Sequence, residues 1–349
     1  MVKTSENIIV GITIGDLNGI GAEVILKTFE DSRMLELCTP VIFANAKLVS
    51  FIRKVLDINI NIQGIDNLNQ IVPGKLNVLN IWKEGVNLEF GKPDDAVGKY
   101  AIKSFTKATE ALKEQKINVL VTAPINKYNV QSEEFSFPGH TGYLNKELEG
   151  DALMLMISEN LRVGLLTDHI PVSEAAKNVT PELLRNKILT IKNTLIQDFK
   201  IPKPKIAVLG LNPHSGDNGV IGKEEQEIVA PTLAKMLEEG TYAFGPYASD
   251  GFFGSNQYKK FDAILAMYHD QGLIPFKTIS FGNGVNYTAG LNHIRTSPDH
   301  GTAFDIAGKG EANCTSFREA VFLAIDVYKN RQEYKELAAN PLKIKATAE

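Results

Sequence analysis

The sequence predicts an α/β fold built on a largely parallel sheet. Short, continuous apolar runs rich in Val, Ile and Leu alternate along the chain with longer stretches of helical periodicity. Continuous apolar runs are typical of strands buried on both faces, and regular alternation of strand and helix is the pattern of α/β proteins. Polar residues follow directly after most of these runs, as they do where parallel strands end in ligand-binding loops.

Six runs are predicted as strands, namely residues 8–14, 41–44, 119–121, 163–166, 206–209 and 263–267. Four stretches between them are predicted as helices, namely residues 21–29, 96–115, 180–199 and 223–239. Most of the helices begin with a capping residue or an acidic first turn. Residues 241–260 are dense in Gly, Ser, Tyr and Phe, so they are predicted to form a long loop or lid.

Length and composition bound the class of protein. The 349 residues allow two domains, and 44% hydrophobic with 22% charged residues is typical of a globular protein. The net charge of −4 offers no basic excess for nucleic acid. No signal peptide is expected, and no stretch reaches the roughly 18 apolar residues of a membrane span. Cys38 and Cys314 form no Cys-x-x-Cys motif, which favours a reducing, cytoplasmic location.

Five of the predicted strands deliver polar groups at their carboxyl ends. These groups are Gly15-Asp16, Thr122-Ala123-Pro124, Asp168-His169, Asn212-Pro213-His214 and His269-Asp270-Gln271. In open α/β sheets, ligands bind in the crevice beyond the carboxyl ends of the strands. The sequence therefore predicts a single site, at one edge of the sheet, that is assembled from distant segments.

Three of the six histidines occupy equivalent positions just after an apolar run. They are His169, His214 and His269, separated by 45 and 55 residues. Neutral imidazole is a common ligand of divalent metals, and a three-histidine site leaves positions open for substrate. The alternative is that each histidine caps a loop carbonyl. Asp270 and Asp250 are nearby candidates for metal ligand, orienting group or general base, although such residues also serve in turns.

A second group of residues suits a small anion. His140 and Thr141 lie in a Gly-His-Thr segment, whereas Lys277, Asn286 and Arg295 follow the last predicted strand in quick succession. Lys offers a point charge and Arg a bidentate fork for phosphate or carboxylate, and hydroxyl and amide groups orient the ligand. The alternative for each charged residue is a solvated loop position. Two glycines shortly before Asn286 allow the backbone to approach an anion closely.

Two Gly-rich segments remain. Residues 15–23, GDLNGIGAE, join a predicted strand to a helix, but they do not form Gly-x-Gly-x-x-Gly, and the chain has no phosphate-binding P-loop motif. A Rossmann cofactor domain is therefore disfavoured, although the exposed helix N-terminus is compatible with an anion. Residues 299–310 are polar and punctuated by Gly, which predicts a binding loop.

Taken in order, these segments resemble the signatures of the 4-hydroxythreonine-4-phosphate dehydrogenase family. The similar strings are GDLNGIGAE, VTAPINK, FPGHTGYL, LLTDHIPV, LGLNPHSGDNGVIGKEE, AMYHDQGLIPFK, FGNGVNYT and IRTSPDHGTAFDIAGKG. They extend from residue 15 to residue 310, which is most of the chain. DHGTAFDIAGKGEAN is also similar to the adenine-side cofactor loop of isopropylmalate and isocitrate dehydrogenases. The resemblance thus implies an isocitrate/isopropylmalate dehydrogenase-like, two-domain α/β/α fold with the active-site cleft between the domains.

The resemblance also implies roles for individual residues. The metal ligands are His169, His214 and His269, with His269 reaching across a homodimer interface. Substrate contacts are His140, Thr141, Lys277, Asn286 and Arg295, to which we add Asp250 as a further candidate. The catalytic candidates are Lys277, by analogy with the lysine of related oxidative decarboxylases, and Asp270, which we add as well. The cofactor, NAD or NADP, contacts His300, Gly301, Thr302 and Asn313, and the metal is Zn, Co, Mg, Mn or Ni. Residues 1–130 with 278–349 form the terminal, cofactor-side domain, and residues 131–277 form the central metal-binding and dimerisation domain.

The activity implied by the resemblance belongs to vitamin B6 biosynthesis. A family member oxidises 4-phosphooxy-L-threonine to 2-amino-3-oxo-4-phosphooxybutanoate, which decarboxylates to 3-amino-2-oxopropyl phosphate. Two positions depart from the family pattern: Leu17 replaces a frequent Pro, and Gly142 replaces a usual Glu. Leu17 is expected to change only loop stiffness. Gly142 removes a carboxylate beside two predicted substrate contacts, so phosphorylated threonate or erythronate is an alternative substrate.

The histidines by themselves leave two other classes of function open. Three imidazoles with an Asp could equally activate water in a metal-dependent hydrolase. A nonenzymatic sugar-phosphate sensor with the same fold would bind the ligand without turnover. The 299–310 loop favours the dehydrogenase over the hydrolase, because a hydrolase has no need of a cofactor loop.

Overall fold

The computed structural model describes residues 7–131, 135–137 and 139–340, so the outermost parts of the predicted terminal domain, residues 1–6 and 341–349, lie outside it. Within the described residues, twelve strands form one sheet and alternate with eleven α-helices. The strands are β1 (Ile9–Thr13), β2 (Thr39–Ala44), β3 (Ile62–Ile65), β4 (Leu76–Asn80), β5 (Val119–Thr122), β6 (Gly150–Ser158), β7 (Leu161–Leu165), β8 (Ile206–Leu209), β9 (Ala243–Tyr247), β10 (Ala263–Ala266), β11 (Val285–Leu291) and β12 (Arg295–Pro298). The helices are α1 (Gly21–Glu30), α2 (Met34–Leu37), α3 (Ala46–Val55), α4 (Asp95–Lys113), α5 (His140–Glu147), α6 (Val172–Asn178), α7 (Pro181–Phe199), α8 (Ala230–Glu238), α9 (Ser249–Gly254), α10 (His269–Ser280) and α11 (Thr315–Ala338).

The sheet consists of two parallel blocks. The first block has the strand order β3-β4-β2-β1-β5-β12 and the second has the order β7-β10-β8-β9. Between them, β11 and β6 pair antiparallel with each other and with the adjoining strands β12 and β7. The two blocks therefore run in opposite directions. The expectation that five strands deliver their polar groups to one edge is wrong, because the antiparallel strands reverse the direction of the chain between β5 and β7.

The α/β class is confirmed, and all six predicted runs are strands. Three predicted helices correspond to α1, α4 and α7, with local signals at their starts. In α7 the Thr180 hydroxyl accepts a hydrogen bond from the Leu183 N–H, and Pro181 occupies the first turn, where its missing N–H costs nothing. The fourth predicted helix differs, since residues Glu225–Val229 form a π-helical turn before α8 begins.

The prediction of a long loop or lid at residues 241–260 is wrong. This segment contains β9, α9 and a 3₁₀ turn at Gln257–Lys260. Its aromatic residues explain the difference: the Tyr247 and Phe252 rings stack with centroids 5.1 Å apart, and Phe252 is buried. Gly and Ser content indicated a loop, but packing of the aromatic side chains determines the local structure.

The main core lies on β1 and its neighbours, where Val10, Ile12 and Ile14 are fully buried. Leu17 is fully buried in the same core, so it contributes packing and does more than change loop stiffness. None of the helices in the described part of the chain has the length and apolar character that a bilayer span requires.

Candidate active site

A cavity of about 250 Å³ lies over one face of the central strands. Asn286 on β11 pairs with Met156 on β6 and with Ser297 on β12, so the three side chains share that face. Arg295, two residues before Ser297, points the same way because strand side chains alternate. All four residues line the cavity. The antiparallel centre of the sheet therefore forms the floor of the site.

The walls of this central cavity come from both parallel blocks. Thr122, at the carboxyl end of β5, and Lys127 line one side. His169 follows β7, and His269 begins α10 directly after β10. The polar groups predicted at the carboxyl ends of β5, β7 and β10 thus meet over a face of the sheet.

Arg295 carries an uncompensated charge at the floor of the cavity. Its side chain is only 2% exposed, and its guanidinium donates to the hydroxyls of Thr122, at 2.6 and 3.0 Å, and Thr288, at 3.1 Å. Within the described chain, no carboxylate forms a salt bridge with it, and burial lowers the pKa of Arg295 to about 9. A buried guanidinium whose partners are neutral hydroxyls attracts an anion strongly.

Four buried polar atoms around the same cavity have no hydrogen-bond partner among the described residues. They are His140 Nε2, Asn286 Oδ1, Asp299 Oδ2 and His300 Nε2, and all four residues line the cavity. Leaving a buried donor or acceptor unpaired costs about 1–3 kcal/mol. Such atoms are expected where a ligand supplies the missing partners.

His140 is held in its neutral form. Burial, together with the nearby charges of Arg295 and Lys127, keeps its pKa well below the ordinary value for histidine. The Phe105 ring meets the imidazole edge-on, with centroids 4.6 Å apart. A neutral imidazole can donate one hydrogen bond and accept one, which suits an oriented polar ligand.

His169 and His269 face each other across the cavity, with ring centroids 6.1 Å apart. His269 Nδ1 lies 2.7 Å from Asp270 Oδ1, and His169 Nδ1 lies 3.4 Å from Asp168 Oδ2. The hydrogen bond from His169 lowers the pKa of Asp168 to about 2. An Nδ1 directed at a carboxylate leaves Nε2 as a ligand atom, which is the usual arrangement in metal-binding histidines.

His214 lines a different and larger cavity of about 500 Å³ against α10. Asp250 and Asp270 line it as well, together with the apolar residues Phe253 and Ile274. In the described part of one chain, no three His, Cys, Asp or Glu side chains converge as a metal-binding group. A single chain therefore separates His214 from the other two predicted ligands.

His214 also begins an unusual turn. Six consecutive residues, from His214 to Gly219, have positive φ. Left-handed backbone costs about 1–2 kcal/mol for each residue other than Gly. Only Gly216 and Gly219 adopt this backbone without that cost. The left-handed conformation of the other four residues therefore has to be stabilised by contacts with the surrounding structure.

The predicted cofactor loop packs on the GDLNG turn after β1. The Thr302 carbonyl accepts a hydrogen bond from the Ile20 N–H at 3.0 Å, and a Cβ added to Gly19 would lie 2.9 Å from that carbonyl oxygen. The far end of the loop is held by Lys27, whose Nζ donates to the carbonyls of Gly310 and Ala312. The absence of a side chain at Gly19 thus allows the two loops to pack closely.

The predicted site residues fall into three groups. Those that line the central cavity are His140, His169, His269, Lys277, Asn286, Arg295, His300 and Gly301. Those that line the larger cavity are His214, Asp250 and Asp270. Thr141, Thr302 and Asn313 line neither. Asn313 Oδ1 instead accepts a hydrogen bond from the Thr315 N–H at the start of α11.

Two charged residues of the central cavity were not predicted from the sequence. Lys127 Nζ lies 3.2 Å from His169 Nε2, and Asp299 accepts a hydrogen bond from Lys277 Nζ through its backbone carbonyl at 3.2 Å. Lys127 ends the VTAPINK string, five residues after β5, so its distance from the strand end concealed it. Asp299 directly precedes His300, and its position at the end of β12 was the available signal.

The fold and the central cavity together define an α/β enzyme that acts on a small anionic ligand. The chain belongs to the PdxA family, described as Pyridoxal phosphate biosynthetic protein PdxA, whose sequence profile matches residues 36–324. A 4-hydroxythreonine-4-phosphate dehydrogenase from Bacteroides thetaiotaomicron is 52% identical over 96% of this chain and 92% of its own length. A relative from Oceanobacillus iheyensis, provisionally named a D-threonate 4-phosphate dehydrogenase, is 34% identical over 93% and 98% of the two chains.

The fold is shared with a solved member of this family. The crystal structure of 4-hydroxythreonine-4-phosphate dehydrogenase from Klebsiella pneumoniae matches with a TM-score of 0.79 and 32% identity, covering 93% of this chain and 99% of that one. The dehydrogenase fold expected from the resemblance is therefore confirmed.

Proposed function

We propose that this protein oxidises 4-phosphooxy-L-threonine with NAD or NADP. The C3 hydroxyl loses its proton and the C3 carbon transfers a hydride to the nicotinamide, giving 2-amino-3-oxo-4-phosphooxybutanoate. Loss of CO₂ from this β-keto acid gives 3-amino-2-oxopropyl phosphate, an intermediate for vitamin B6. The central cavity carries this proposal, because four unpaired polar atoms beside a buried Arg295 match a small, multiply polar anion. Membership of the PdxA family supports it.

The cations of the cavity account for recognition of the phosphate and carboxylate. Arg295 provides a fixed fork at the floor, and Lys277 and Lys127 provide mobile charges at the walls. His140 and Asn286 contribute neutral hydrogen bonds. Thr141, the next residue of α5, lines neither cavity, so its predicted contact requires the ligand to reach the start of that helix. Together these groups orient the C3 hydroxyl, and orientation of that kind is a main source of rate enhancement.

The donor set also fits a divalent metal, held by His169, His214 and His269. The carboxylates at the Nδ1 atoms of His169 and His269 orient both rings for coordination through Nε2. When bound, such an ion acts as a Lewis acid that makes the substrate hydroxyl more acidic. Imidazole ligands accept Zn, Co, Mn or Ni, and Mg remains a candidate.

A second copy of the chain completes this proposed metal site. His214 lies in a cavity separate from His169 and His269, so the described part of one chain does not bring the three ligands together. The proposal that His269 is the ligand contributed across the interface rests on the family resemblance. Helix α10 exposes Ile274 and Ile279, and Phe281 follows directly after it. An exposed apolar helix face beside the ligands is suited to a homodimer interface.

Proton transfer and cofactor binding are assigned to neighbouring groups. Lys277, which lines the central cavity, is the proposed proton-transfer group for the C3 hydroxyl, and it acts in this role in its neutral form. Asp270 contributes through His269, which it orients.

The cofactor is proposed to bind at the loop that contains His300, Gly301, Thr302 and Asn313. This loop belongs to the terminal domain, formed by residues 1–130 and 278–349. Residues 131–277 form the central domain, and the two free cysteines support a cytoplasmic enzyme.

Phosphorylated threonate or erythronate is the second candidate substrate, favoured by the Oceanobacillus relative. Asp299 argues for the amino acid. It is the only carboxylate among the described residues that line the central cavity, and its Oδ2 has no partner there. An ammonium group complements this carboxylate better than the hydroxyl of a sugar acid does.

One assay separates these possibilities. The purified protein is given NAD or NADP, a divalent metal, and either 4-phospho-L-threonine, 4-phospho-D-threonate or 4-phospho-D-erythronate, and reduced nicotinamide is followed by its absorbance. We expect kcat/KM for 4-phospho-L-threonine to exceed the others by about tenfold or more. A preference for a sugar acid would reassign the substrate. Reduction of neither cofactor with any substrate would contradict a dehydrogenase.

A further inference from the structure

The loop that presents His214 has a backbone that few sequences adopt. From His214 to Asn218 the φ values lie between 42° and 80°, and Gly219 follows at 90°. Four of these six residues carry a Cβ, which disfavours left-handed backbone. A contact outside the turn must therefore hold it in place.

Glu225 provides one such contact, beside the hydrogen bond that Ser215 Oγ donates to the Pro246 carbonyl at 3.3 Å. Its side chain is 2% exposed, at the start of the π-helical turn. Glu225 Oε1 accepts a hydrogen bond from the Asn212 N–H at 2.7 Å, and Oε2 accepts one from Asn212 Nδ2 at 2.9 Å. A Cβ added to Gly216 would lie 2.7 Å from Glu225 Oε2, so the left-handed turn closes around the carboxylate.

The root of the loop is secured separately. Gln271 Nε2 donates to the Gly210 carbonyl at 2.6 Å, and Gln271 Oε1 accepts from the Met267 N–H at 2.7 Å. These bonds attach the end of β8 to the end of β10 without involving Glu225. Loss of the Glu225 carboxylate is therefore expected to disturb the turn while leaving the strands in place.

We infer that Glu225 is a positioning residue for His214, acting through Asn212. This inference rests on the proposed role of His214 as a metal ligand. The carboxylate fixes the backbone two residues before His214, and the turn that wraps around the carboxylate sets the direction of the imidazole. Groups that orient a ligand in this way commonly change metal affinity when they are removed.

The test measures Co²⁺ binding to the full-length protein after chelator treatment, by competition with a chromophoric chelator, together with the visible spectrum of bound Co²⁺. Glu225→Gln keeps one acceptor but places an amide donor against the Asn212 amide. We expect the dissociation constant for Co²⁺ to rise about tenfold or more, with a changed spectrum. Glu227→Gln is the matched control, since Glu227 is an exposed residue of the same turn, and it should bind Co²⁺ as the wild type does.

A second variant is designed to restore Co²⁺ binding by reversing the direction of the side-chain hydrogen bonds between residue 212 and its two partners. Glu224 Oε2 also accepts from Asn212 Nδ2, so the triple variant Asn212→Asp, Glu224→Gln, Glu225→Gln exchanges donor and acceptor in each side-chain pair. We expect this variant to regain Co²⁺ affinity to within about threefold of the wild type. If Glu225→Gln alone does not fold, the triple variant still tests the inference, because its side-chain hydrogen bonds are restored. A folded triple variant that still binds Co²⁺ tenfold more weakly would overturn the inference.

The variant His214→Ala separates a failure of the inference about Glu225 from a failure of the proposed metal role of His214, on which that inference rests. If His214→Ala weakens Co²⁺ binding and folded Glu225→Gln does not, the positioning role of Glu225 is wrong and the metal role of His214 stands. If His214→Ala leaves Co²⁺ binding unchanged, the proposed metal role itself is wrong, and the inference about Glu225 fails with it.

Discussion

The central cavity and the cavity against α10 contain the same kinds of predicted residues but differ in what they lack. The central cavity is the smaller, about 250 Å³ against about 500 Å³. Among the described residues, it nevertheless contains four polar atoms without hydrogen-bond partners and a buried arginine without a counter-ion. In the larger cavity, His214 and two aspartates share the lining with apolar side chains such as Phe253 and Ile274.

We infer from this difference that buried polar atoms without partners indicate a small-molecule site better than cavity volume does. Among the described residues, Arg295 in the central cavity has no carboxylate in a salt bridge with it, and we propose that the substrate supplies this anion. The larger cavity presents the His214 imidazole beside apolar side chains, and the proposed homodimer would cover both. The two cavities should therefore respond differently to substitution: one should lose substrate and keep metal, and the other should lose metal and keep substrate.

The largest effect is expected in the cavity against α10. His214→Ala removes a proposed metal ligand, so bound metal should be lost and the initial rate should fall on the order of a thousandfold. This is more than the roughly tenfold to hundredfold loss that is typical when a residue that only orients a ligand is removed. Binding of inorganic phosphate in the central cavity, followed by thermal shift, should persist. Metal analysis that found the ion retained at full occupancy would contradict the ligand role.

Arg295→Lys should produce the opposite pattern. A lysine cannot reproduce the guanidinium fork between Thr122 and Thr288, so kcat/KM should fall about a hundredfold while bound metal is unchanged. Arg162→Lys is the matched control, because Arg162 is partly buried over the Phe199 ring and does not line the cavity. Equal losses in both variants would point to stability and not to anion binding.

Mixed dimers test whether the two cavities belong to one composite site. His169→Ala and His269→Ala chains should each be inactive, whereas a heterodimer of the two contains one site with all three ligands. About half of the wild-type activity per dimer is expected, since one of the two symmetric sites is intact. Purified heterodimers with no activity would contradict a site that combines His169 and His214 of one chain with His269 of the other.

The smallest effect concerns His140 and pH. The folded protein depresses the pKa of His140 below the unfolded value of about 6.5, so protonation favours unfolding and stability is lost as the pH falls from about 7 to about 5. The midpoint of thermal unfolding should therefore drop by a few degrees less in His140→Gln than in the wild type over this range. Identical drops in the two proteins would mean that His140 is not buried in its neutral form.

Local signals in the sequence were sufficient to predict the strands and helices at the periphery of the site. The apolar run at residues 206–209 coincides with β8, and Thr180 with Pro181 marked the start of α7. The strands β6, β11 and β12 were missed. In β11, polar and apolar residues are mixed, as in Val285–Leu291, and no continuous apolar run announces a strand. These missed strands supply the floor of the central cavity.

The site residues also divide into those that the sequence predicted and those that it missed. The family strings identified eight residues that line the central cavity, because each string is a contiguous segment whose chemistry is visible in the chain. Lys127 and Asp299 were missed because their place in the cavity depends on how separate loops pack. The conformation of residues 214–219 had no local signal, since four of the six carry a Cβ that opposes it.

The sequence by itself determined the α/β class, the family and most of the polar side chains that line the central cavity, since these follow from short-range periodicity and contiguous motifs. The tertiary structure alone decided that the two parallel blocks run in opposite directions and that the polar groups meet over a face of the sheet. It also separated His214 from His169 and His269. The physical reason is that strand direction and loop packing depend on pairings between residues far apart in the chain, which local patterns do not encode.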